Sequence, residues 1–108
     1  MDVTANQSDD GKTLTISLTG RFDYTTYSNF IQACWGKLSY YGDRSKLPSR
    51  VVVDMAEVEY VDASALGMLL VLREKAIANM TELVLSSCAP NVKKNIQAHR
   101  AGRLFKFD

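Results

Sequence analysis

The chain has 108 residues, with 13 Lys and Arg against 12 Asp and Glu for a net charge of +1, and it is 46% hydrophobic and 23% charged. That composition describes a single globular domain over residues 1–108, large enough to bury a core without metal or disulfide staples and too small for a second domain. Balanced charge argues against nucleic-acid or anionic-membrane partners, and no apolar run reaches the roughly 18 residues of a membrane span, nor does the start look like a signal peptide, so a cytoplasmic location is expected.

In chain order, Val3 to Ser8 reads as a weak strand and Asp9-Asp10-Gly11 as a hairpin turn. Lys12 to Thr19 follows with Leu14, Ile16 and Leu18 at period two, so one face meets the core, and Gly20 is expected to end it. From Tyr24 to Leu38 the apolar positions Tyr24, Tyr27, Phe30, Ile31, Cys34, Trp35 and Leu38 form the stripe of an amphipathic helix, with Asp23 or Thr25 able to cap it. All of that stripe, tyrosines included, is expected to pack inward. Ser39 to Arg50 reads as a solvated loop.

Val51-Val52-Val53 is a β-branched run of the kind found in strands buried on both faces, which implies a central parallel strand ending near Met55. After Val58 to Val61, a second helix runs from Asp62 or Ser64 to Asn79, with Asp62 placed to cap it. Leu83 to Leu85 is a further strand and Pro90 to Ala98 a third helix with Val92 and Ile96 inward. Gly102 is placed to stop that helix, and Leu104 to Phe107 forms a final strand. Strands alternating with helices predict an α/β sandwich: a mixed, mostly parallel sheet with an N-terminal antiparallel hairpin, packed against helices.

Residues 51–72, VVVDMAEVEYVDASALGMLLVL, carry the chemical signal. Small residues Ala63, Ser64, Ala65 and Gly67 crowd a helix start, where backbone amides are exposed and another surface can approach closely. Met68 and Leu72 lie on a different side of the helix from Leu66, Leu69, Leu70 and Ile77, so the pair is expected to be partly uncovered and to form a docking patch. His99 is the sole histidine, and Cys34 and Cys88 form no CxxC pair, so no catalytic residue, metal site or cofactor is expected.

These segments, in this order, resemble a STAS domain, the fold of bacterial anti-sigma-factor antagonists and of sulfate-transporter tails. Leu18 to Asp23 resembles the family's "Gly, any, Leu, Asp" lead into the first helix. Asp54 to Gly67 resembles its "Asp-Leu" strand followed by "Asp-Ser-Ser/Thr-Gly-Leu-Gly", and Cys88 to Val92 with Leu104-Phe105 its last helix and strand. The resemblance implies a non-enzymatic partner switch. The unphosphorylated chain would bind an anti-sigma factor or serine-protein kinase through Asp23, Asp62, Ala63, Ser64, Ala65, Leu66, Gly67 and Met68. Serine phosphorylation would release it, and a serine phosphatase would reset it. Such antagonists serve sigma factors, stress responses, motility or biofilm circuits.

The chain departs from the pattern where the family carries its phosphoserine, since Ala63 follows Asp62 and Ser64 comes next. Three accounts stay open: an alanine replacing a serine and locking the unphosphorylated form, use of Ser64 as acceptor, or no phosphorylation. The plain alternative for Ser64 is a helix-start hydroxyl bonded to local backbone. Asp54 invites comparison with a receiver's phosphoaspartate, although Gly20-Arg21 stands where the magnesium-binding acidic pair would be. A triad of Ser64, His99 and Asp54 or Asp62 lacks a nucleophile elbow. A phosphorylation-independent STAS scaffold is a further alternative.

Overall fold

The computed structural model describes residues 2–38 and 47–108. Its strands are β1 (Asp2–Gln7), β2 (Thr13–Phe22), β3 (Arg50–Val61), β4 (Glu82–Ser86) and β5 (Lys106–Phe107), and its α-helices are α1 (Tyr27–Leu38), α2 (Ala63–Ala78) and α3 (Pro90–Ala98). The strands form one sheet in sequence order, β1 to β5, with β1 antiparallel to β2 and every other pairing parallel. The expected mixed α/β sandwich and its N-terminal hairpin are therefore present. The expected loop from Ser39 lies, over residues 39–46, outside the described residues, as does the packing of the Trp35 side chain.

The hairpin turn forms as its residues dictate. Gly11 takes φ +73°, its amide donates to the Ser8 carbonyl at 2.9 Å, and the Ser8 amide closes on Thr13 O at 2.8 Å. On β2 the period-two residues Leu14, Ile16 and Leu18 are buried, and in β3 Val51, Val53 and Met55 join them. The registers Leu14↔Val51↔Leu83 and Ile16↔Val53↔Leu85 align these side chains across three strands. Phe30 and Cys34 of α1, Leu69 and Leu72 of α2, and Val92 and Ile96 of α3 complete one continuous cluster. Leaving fully extended chain, each buried Leu, Ile or Phe contributes roughly 1.5–3 kcal/mol.

Four expectations change. Gly20 does not end β2; it sits at φ +92° beside two register shifts, and the strand runs on to Phe22 past this irregularity. β3 continues unbroken to Val61, and Val52 is only half-buried, so the central strand is parallel on both sides yet fully covered on one face. Gly102 has no positive φ. It lies in a 3₁₀ turn, Ala101–Leu104, where a Cβ would fall 1.8 Å from Ile96 O, so close approach and not a left-handed stop accounts for it. That turn also takes up Leu104, leaving β5 as Lys106–Phe107 alone.

Candidate functional site

Two neighbouring strand ends set up the site. Phe22 and Val61, the last residues of β2 and β3, are register partners, and the Asp62 amide bonds Phe22 O at 3.2 Å. An aspartate follows each strand and caps what comes next. Asp23 accepts from Thr25 N at 3.0 Å and starts a 3₁₀ turn, Tyr24–Thr26, that leads into α1. Asp62 accepts from Ala65 N at 2.8 Å, satisfying one of the amides a helix start leaves unpaired. From α3, the Asn95 amide donates to Val61 O at 2.9 Å and ties the same strand end from another direction.

Capping fixes the rotation of α2 about its axis. Ala65, Leu66, Met68, Leu69, Leu72 and Ala76 turn into the core, while Ala63 and Ser64 are exposed and Gly67 is half-exposed. The expectation that Met68 and Leu72 are uncovered is thus wrong: they are 6% and 0% exposed, and Val71 and Ile77 carry the apolar exposure at 49% and 53%. Because α2 is apolar around most of its circumference, spacing alone does not choose which arc faces the sheet. Of the eight residues expected to meet a partner, Ala65 and Leu66 are interior supports and Met68 presents only an edge.

Tyr24 and Tyr27 are also not core residues. They are 72% and 59% exposed, while Phe30 and Cys34 take the interior places on α1. With Ile31 they form one wall of a groove of about 600 Å³ between α1 and α2, whose other wall is Ser64, Gly67, Met68 and Val71. The groove was missed because its tyrosines count as apolar in a helical stripe, and only the three-dimensional placement separates the inward residues from this second line. Among the described residues the Ser64 hydroxyl has no hydrogen-bond partner, so the bond to local backbone, the plain alternative for this residue, does not form.

The electrostatics are local. The Thr25 hydroxyl and amide hold the Asp23 carboxyl below its ordinary value, with a smaller contribution from Arg21, and Arg21 lies over the Tyr60 ring at 4.4 Å. Burial pushes the Cys34 thiol up to about 12 and the Cys88 thiol to about 11, which disfavours the thiolate that nucleophilic chemistry requires. Asp54 lies within β3 between Ser17 and Ser86, its carboxylate accepting from Ala56 N at 3.0 Å. Among the described residues no three His, Cys, Asp or Glu side chains gather as a metal site would require. His99 caps the end of α3, and Asp62 is turned to Ala65 N, so Ser64, His99 and Asp62 do not form the chain of hydrogen bonds of a triad. No helix among the described residues is long and apolar enough to cross a membrane.

Comparison with known proteins gives consistent results. The STAS domain family model matches residues 3–108. A STAS-domain containing protein of Pseudomonas aeruginosa (strain UCBPP-PA14) is 39% identical over 107 residues, covering 99% of both chains. Among solved structures, an anti-sigma factor antagonist from Mycobacterium paratuberculosis superposes with TM-score 0.75 at 20% identity, over 98% of this chain and 85% of that one. The Bacillus cell fate determinant SpoIIAA in its phosphorylated form superposes with TM-score 0.71 at 14% identity, over 99% and 91%. At these identities the two structures speak for the fold.

Proposed function

The chain belongs to the STAS domain family, and we propose that it is a non-enzymatic partner-switching regulator of the anti-sigma-factor-antagonist kind. In its unphosphorylated form it binds an anti-sigma factor or serine-protein kinase through the surface around Asp23, Asp62, Ala63, Ser64 and Gly67, with Ala65, Leu66 and Met68 holding that surface from beneath. Phosphorylation of Ser64 releases the partner and a serine phosphatase restores binding. The observation that carries this reading is the Ser64 hydroxyl, exposed on the first turn of α2 and unpaired among the described residues.

In the modification step, Ser64 Oγ forms a bond to the γ-phosphorus of ATP as the bond to ADP breaks, and the hydroxyl proton leaves to a base of the kinase. The product carries about −1.5 to −2 charges. It lies near the Asp62 carboxylate and would be desolvated if a partner closed over it, so the bound state is penalised. Incubation with a serine kinase partner and ATP, followed by mass spectrometry, tests this. Phosphate on Ser64, lost in Ser64→Ala, is expected; phosphate only on a residue away from the start of α2 overturns the assignment.

A further inference from the structure

Gly67 lies inside α2, where glycine is a poorer helix former than alanine. Three other glycines have reasons within the chain: Gly11 and Gly20 hold φ of +73° and +92°, and Gly102 is pressed against Ile96 O. At Gly67 φ is not positive, and an added Cβ would meet nothing within 4 Å. Among the described residues, neither backbone conformation nor packing asks for glycine there. Its bare Cα faces the α1–α2 groove, between the Tyr24, Tyr27 and Ile31 wall and its own neighbours Ser64, Met68 and Val71.

We infer that this groove seats one uncharged aliphatic or aromatic side chain of the partner protein, and that Gly67 is bare so that this anchor reaches the backbone of α2. The inference rests on the partner-switching reading and names the contact that reading leaves open. Charge selects the occupant. Among the described residues none that lines the groove is charged, so a buried cation would find no counter-charge from them. The carboxylates at the helix-start end, Asp23 and Asp62, are directed to Thr25 N and Ala65 N, and they repel an acidic insert. An apolar side chain leaves no polar group unpaired on entry, and the exposed Tyr24 and Tyr27 rings supply the rigid amphipathic contact area enriched at interface centres. Ser64 stands in the same wall, so a phosphate on it projects into the anchor's seat. Position 63 is not among the lining residues, which gives a physical reason for modification at the second helical residue to control docking.

Gly67→Ala and Gly67→Leu test the inference. The free Gly67→Ala protein is expected to melt a few degrees higher than wild type, because a helix-interior glycine is replaced without a clash. Its affinity for the serine kinase partner, by calorimetry, is expected to fall at least tenfold. Unchanged affinity in Gly67→Ala and Gly67→Leu, with Ser64→Asp still releasing the kinase, overturns the anchor and leaves the switch standing. N-acetyl-leucinamide, titrated into labelled protein by NMR, separates the two ideas. It is expected to shift the amides of Tyr27, Ser64, Gly67 and Val71 in wild type and not in Gly67→Leu, even if the wild-type chain binds no kinase and the switching reading fails. Absence of those shifts in wild type overturns the groove's preference.

Discussion

At the scale of single residues, two aspartates do the positioning. Each follows the last residue of a parallel strand and turns its carboxylate onto the amides ahead, so one side chain both ends a strand and starts a helix. Asp62→Ala removes the acceptor for Ala65 N and is expected to cost about 1 kcal/mol, read as a lower urea midpoint with an unchanged denaturant slope. Asn at this position should recover most of the loss, because its side-chain oxygen also accepts. The cap was legible from the sequence, since Asp before a run of small and apolar residues is a helix-start pattern whose geometry is local. The exposure of Tyr24 and Tyr27 was not legible, because a tyrosine in an apolar stripe fits either a core or a rim.

At the scale of elements, the junction after α3 leaves no room for a side chain at Gly102. The chain leaves His99, whose amide bonds Ile96 O at 3.2 Å, and returns so that Gly102 packs over that same carbonyl. Gly102→Ala would place a Cβ 1.8 Å from Ile96 O and is expected to destabilise by roughly 1–3 kcal/mol as the turn is forced away, measured by chemical denaturation. The end of α2 is built differently. Thr81 N bonds Ala76 O at 2.8 Å and Met80 N bonds Ile77 O at 3.0 Å, a Schellman closure with Met80 at φ 56° where glycine is usual. Both helix ends were expected near their observed places, but Gly102 looked like a helix stop only because glycine serves two physical roles. Which role applies depends on a carbonyl six residues away in sequence, and the fold alone brings it there.

For the whole molecule, near-neutrality has a measurable consequence. With a net charge of +1 and a sequence pI of about 7.7, one phosphate of about −1.5 to −2 charges reverses the sign of the net charge near pH 7. Fully phosphorylated protein is therefore expected to reverse its direction of native electrophoretic migration at pH 7, and phosphatase treatment should restore it. Unchanged migration after incorporation of one phosphate would contradict this charge balance. The exposed ion pairs Arg50–Glu82, Lys106–Glu82 and Arg50–Asp108 link β3, β4, β5 and Asp108 just beyond it, but pairs so open to water add little to stability. The buried cluster spanning the sheet and all three helices holds the molecule together.

The sequence by itself determined the order of strands and helices, the hairpin, the capped start of α2 and membership of a family, because periodicity, turn residues and motif spacing act over a few neighbouring positions. Tertiary structure decided which arc of α2 faces the sheet. It buried Met68 and Leu72, turned Ser64, Gly67 and Val71 outward, and brought Tyr24 and Tyr27 opposite them across a groove. A helix apolar on most sides carries no orientation in its own pattern; its rotation is set by the strand ends that launch it and by the core it must fill.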